Sequence, residues 1–141
     1  MVYYAAFFNA IIFLLLSLLH FYWLLGGKWG MDSVVPTNEK SSDKLFKPSA
    51  ISTVVVATGF LIFACVAIGN TGIFSAWVDL KYFRWGNLLI AFIFLVRAVG
   101  DFKYVGFFKK VRGTLFAKND SRYYAPLCLF IAVTSVFIVF G

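Results

Sequence analysis

The sequence predicts an all-α membrane protein, a four-transmembrane-helix bundle, and three observations carry that prediction. Of the 141 residues, 62% are hydrophobic and 13% charged, and the mean hydropathy is +0.87, more apolar side chain than so short a chain hides in a water-soluble core. Four apolar stretches each approach the roughly 20 residues a helix needs to cross about 30 Å of hydrocarbon. Lys and Arg gather between the spans rather than in them, as topology signals do. Spans and loops use up the chain, which predicts a single four-helix transmembrane domain over residues 1–141 with no separate soluble part.

The first span is expected at about residues 2–25, around the block Ile11-Ile12-Phe13-Leu14-Leu15-Leu16, with Gly26-Gly27 and Gly30 ending it. It lacks a basic start and a small-residue cleavage site, so it reads as a retained helix rather than a signal peptide. Trp23 and Trp29 mark one membrane surface, since amphipathic rings collect at headgroup level. Residues 28–47 form the longest loop, polar, with Pro36, Asn38, Ser41, Ser42 and three acids, and with a short surface segment at Lys44-Leu45-Phe46. Pro48-Ser49 suits a helix start, and the second span follows at about 50–70. A short mixed connection, including a brief interfacial helix at Phe74-Ser75-Ala76-Trp77-Val78, leads to a third span at about 85–108 that holds Arg97 and Asp101 inside its apolar length. A basic loop from Lys109 to Arg122 precedes the last span at about 123–140.

Ten Lys and Arg lie in or beside the first and third loops, against Lys81 and Arg84 in the second. The positive-inside rule then makes loops 1–2 and 3–4 cytoplasmic and both termini external, in a multi-pass protein of a cell inner (cytoplasmic) membrane. The net charge of +7 is explained by this layout rather than by nucleic-acid binding. Cys65 and Cys128 are the only cysteines, each within an apolar run, and read as buried small hydrophobes. With one histidine and no HExxH or phosphate loop, neither a metal nor a cofactor is expected.

The polar residues within the spans draw attention because an ion there is costly and must face protein or a wet cavity. Arg97 and Asp101, four apart, share a face of an uninterrupted helix and are expected to pair. The topology brings His20 to the same half of the membrane, with Tyr22, Trp23, Tyr104, Asp120, Tyr123 and Tyr124 at the nearby surface. The ligand-binding candidates are therefore His20, Tyr22, Trp23, Arg97, Asp101, Tyr104, Asp120 and Tyr124. Gly100 and Gly26-Gly27 suit turns or close backbone approach, and Gly59 and Gly69 suit helix packing.

The segments His20-Phe21-Tyr22-Trp23-Leu24-Leu25-Gly26-Gly27, Arg97-Ala98-Val99-Gly100-Asp101-Phe102 and Tyr124-Ala125-Pro126-Leu127-Cys128-Leu129, with Phe116-Ala117 and Asp120, resemble the DUF3995 family of small bacterial four-helix membrane proteins. That resemblance implies a bacterial inner membrane and a shared polar site, but no activity. The family pattern has a serine where this sequence has Ala125.

Three functions follow as expectations, beside a channel or transporter, for which four helices are few and dimerisation would be needed. The first is binding of a lipid-like or small amphipathic ligand in a cytoplasm-facing polar pocket. The second is intramembrane catalysis, with His20 and Asp101 as acid and base and Arg97 as electrostatic stabiliser. The third is an accessory or immunity-type interaction protein using its basic loops. Membrane lipids are the expected partners; the sequence leaves the oligomeric state open.

Overall fold

The computed structural model of the chain describes residues 1–38, 40 and 43–141. Glu39, Ser41 and Ser42, part of the polar loop expected after the first span, lie outside the described residues. Helix α1 spans Val2–Leu24, α2 Met31–Val34, α3 Ala50–Gly69, α4 Leu80–Val99, α5 Leu115–Asn119 and α6 Ala125–Phe140, with one wide π-helical turn at Asp120–Tyr124 joining α5 to α6. Among the described residues, α1, α3, α4 and the continuous rod Leu115–Phe140 are the four helices long and apolar enough to cross a membrane. The expected bundle class is therefore observed.

Local chemistry sets the ends. Ser49 caps α3 by accepting from the Ser52 N–H at 3.1 Å, as the Pro48-Ser49 pair predicted. Asp79 caps α4 in the same way through Lys81 N–H, so this helix starts at Leu80 rather than near residue 85. Lys81 and Arg84 do not prevent helix there, because their aliphatic stems lie along a helix surface while the charges reach water. At the other end α4 stops at Val99, because Gly100 takes φ +90. The expected third span of 85–108 is thus corrected to 80–99, and Asp101 lies outside it. Residues 70–78 form a run of turns rather than a brief helix. At the expected surface segment, Lys44 makes an isolated antiparallel bridge to Thr37.

The helices close into a ring in which α1 packs on α3, α3 on α4, α4 on α6 and α6 on α1. Phe13 is fully buried among Phe60, Phe63 and Phe94, with centroids 5.6 to 6.2 Å apart. Ile90, Ile131 and Ile138 are buried as well, while many of the other large apolar side chains are exposed, as expected where the solvent is hydrocarbon. Specificity comes from interhelical polar ties. Ser17 donates to the Ala57 carbonyl at 2.8 Å, Asn87 to the Val66 carbonyl at 3.2 Å, and Asn70 to the Ile138 carbonyl at 2.7 Å. Asn9, wholly buried, donates to Ser135 and accepts from Thr134. Phe83 stacks on Gly69, which therefore serves packing as expected, whereas Gly59 faces open space and does not.

Candidate functional site

The end of the bundle where α1 and α4 finish and α3 and α5 begin carries a built charge cluster. Asp120 is wholly buried and opens the π-helical turn. One of its oxygens accepts from Arg97 Nη2 at 2.8 Å; the other accepts from the Gly106 N–H at 2.8 Å and from Lys109 Nζ at 2.9 Å. Lys109 is itself buried, and its ammonium also donates to the Gly106 carbonyl and the Ser121 hydroxyl, at 2.9 and 2.7 Å. Two cations thus share one carboxylate. Arg97 retains Nη1 buried and without a hydrogen-bond partner among the described residues, while about a third of its side chain is accessible.

The backbone that delivers these groups doubles back tightly. Gly100 and Gly106 both adopt positive φ, and their backbones touch: a Cβ at Gly100 would strike the Val105 carbonyl, and one at Gly106 the Val99 carbonyl. Phe107 N–H closes the loop onto the Ala98 carbonyl at 2.8 Å. The Lys103 carbonyl accepts from both the Lys110 and Val111 N–H groups. Fixing Gly106 beside Gly100 is what aims its N–H at Asp120.

The expected Arg97–Asp101 pair does not form. An i, i+4 pair needs an unbroken helix, and Gly100 breaks it between the two. Asp101 instead folds over its own loop, one oxygen accepting from Lys103, Tyr104 and Val105 N–H groups at 2.7 to 2.9 Å. Burial alone would raise this carboxyl, but the N–H groups of Val105, Lys103 and Tyr104 outweigh it and hold the group below its ordinary 3.8. A depressed acid stabilises the folded loop above its unfolded value and loses that effect as pH falls through the folded one. Amide exchange at residues 103–105, measured by mass spectrometry with correction for intrinsic rates, is expected to stay slow down to about pH 4 and to accelerate below it.

The remaining candidates separate by role. His20 lies between Trp23 and Phe60, at 5.0 and 5.3 Å, and its Nδ1 is 2.7 Å from the Leu16 carbonyl, an acceptor-only group that assigns the proton to Nδ1. Among the described residues no direct hydrogen bond joins His20 to Arg97 or Asp101. Trp23 Nε1 donates to the Trp29 carbonyl at 2.8 Å, and Tyr22 packs its ring on Gly27, so both fasten the turn after α1. The Tyr124 hydroxyl donates to the Ser33 carbonyl at 3.2 Å and ties the fourth span to α2. Tyr104 lies under Lys103, with 5.1 Å from ammonium to ring centroid.

An apolar groove of about 410 Å³ runs between α4 and α6, lined by Leu88, Phe92 and Leu95 and by Leu129, Val133 and Val136. None of the candidate residues lines it. Arg97, two positions beyond Leu95, is turned about 200° around α4, so groove and charge cluster face different ways. Lys109 is the member of the cluster that sequence reasoning passed over, because it counted toward topology; a lysine three residues after Gly106 carries no local mark of burial.

A family model described as a protein of unknown function (DUF3995) matches residues 13–135, most of the chain. No curated protein and no solved structure matches.

Proposed function

The chain belongs to the DUF3995 family, and on that premise we propose from its geometry that it binds an anionic amphiphile whose headgroup pairs with Arg97. The observation that carries this reading is the state of the guanidinium. Nη2 is held by Asp120, Nη1 is buried without a partner, and one carboxylate faces two cations. A phosphate or carboxylate oxygen at Nη1 satisfies the donor and neutralises the excess charge, and a planar guanidinium held at one edge is oriented to receive it. Asp120 and Lys109 act as positioning residues. A hydrocarbon tail would lie along the exposed apolar helix surface rather than in the α4–α6 groove, which faces away from Arg97.

The ten Lys and Arg at this end support a cytoplasmic orientation of the cluster in a bacterial inner membrane, with both termini external. A ligand there is drawn from the inner leaflet or the cytoplasm.

Thermal unfolding in a neutral detergent tests the reading, with dodecyl phosphate, inorganic phosphate and dodecyl phosphocholine as probes. Dodecyl phosphate at 100 times its Kd is expected to stabilise the wild type by about 2.7 kcal/mol, with the two other probes much weaker. Arg97→Gln leaves Asp120 paired with Lys109 and Gly106, so it folds, and is expected to lose that stabilisation; Arg97→Lys keeps only part of it. Equal stabilisation of wild type and Arg97→Gln would sink the proposal.

A further inference from the structure

The loop that delivers Gly106 to Asp120 also exposes three phenylalanines. Phe102, Phe107 and Phe108 are 58%, 41% and 62% accessible, in a segment held by the Asp101 carboxylate, the contact of Gly100 with Gly106 and the bonds to Lys103. Phe102 sits at φ +61, a left-handed conformation rare for a bulky residue, and its ring lies 6.3 Å from that of Phe108. The constraints hold the loop's backbone in a conformation that leaves all three rings exposed. Lys103, Lys110 and Arg112 stand on the same loop. Asp101, its one acid, is engaged by backbone N–H groups. The loop also joins the ends of two membrane-spanning helices, which fixes it beside the bilayer surface.

We propose that residues 101–112 form an interfacial anchor: Phe102, Phe107 and Phe108 enter the headgroup and acyl boundary of an anionic leaflet, while Lys103, Lys110 and Arg112 meet lipid phosphates. Aromatic rings and basic side chains are the two chemistries that hold a segment at that depth. The loop reaches the cluster through the Gly106 N–H and the Lys109 ammonium, but the three rings and the three basic side chains of the anchor make no contact with Arg97 in the hydrogen bonds and ion pairs described. The anchor's occupant is the membrane surface rather than a protein because rings and cations are interleaved along one short loop, matching a surface that is apolar below and anionic above.

Collision accessibility of a nitroxide tests this in nanodiscs of phosphatidylcholine with phosphatidylglycerol. In a Cys65→Ala, Cys128→Ala background, Phe108→Cys carries the label, Phe107→Cys repeats the measurement at a second exposed ring, and Asn38→Cys serves as the water-facing control. The ratio of oxygen to nickel-chelate collisions at 107 and 108 is expected to exceed that at 38 several-fold. Adding Lys103→Gln, Lys110→Gln and Arg112→Gln should lower it toward the control. Labels at 107 and 108 as open to nickel as Asn38 would overturn the proposal. Labels shielded from both reagents would also overturn it, because that is the signature of protein contact. A ratio unmoved by the three Gln substitutions would remove the anionic part. Binding at Arg97 is read by the detergent experiment and can fail without affecting this one.

Discussion

Asp120→Ala is expected to cost about 3–5 kcal/mol of bundle stability, because removing one partner of a buried ionic cluster strands the others. The carboxylate is wholly buried and the Lys109 side chain is only 1% exposed, so neither water nor another acid among the described contacts replaces it. Asp120→Asn keeps the shape but not the charge and is expected to fall between Ala and wild type. The double variant Asp120→Ala, Lys109→Met removes the stranded ammonium with its partner and should cost less than the sum of the single changes. Thermal or denaturant unfolding in one detergent checks all three. An Asp120→Ala protein as stable as wild type would mean that the cluster is not what joins the end of α4 to the fourth span.

The second large effect is expected at Gly100. Its φ of +90 is strained for any L side chain, at about 1–3 kcal/mol, and a Cβ there drives into the Val105 carbonyl besides. Gly100→Ala should therefore lose more than the strain alone, and the loss should include the Gly106 bond to Asp120, seen as faster exchange of the Gly106 amide. Gly59→Ala is the comparison: helical, in open space, and expected to gain up to about 1 kcal/mol from helix propensity. Similar unfolding temperatures for the two variants would contradict the close approach of the loop.

Much of the fold was legible because it is written in long-range composition. Runs such as Ile11 to Leu16, the Pro48-Ser49 start and the glycines after Leu25 report local physics that lipid does not override. The third span was displaced for a local reason too, since Asp79 caps early and Gly100 stops late growth. The site was legible as residues but not as pairs. Arg97, Asp101 and Asp120 were all singled out, yet the pairing rule assumed one continuous helix, and the actual partner of Arg97 lies 23 residues on. Nothing local distinguishes buried Lys109 from exposed Lys110; only the doubling back at Gly100 and Gly106 decides between them.

The cluster also bears on how such a chain is made. Arg97, Lys109 and Asp120 all belong to one helical hairpin, whereas Asn9 reaches Ser135 across 126 positions of chain. The costly ions therefore find their partners within the last two spans alone, with short loop closure and no help from α1 or α3. A C-terminal hairpin leaving the insertion machinery carries its own counter-charges into the bilayer, and what it seeks afterwards from the earlier helices is only packing and a few neutral hydrogen bonds. Assembly of the two halves is then a late step between pieces already electrically settled.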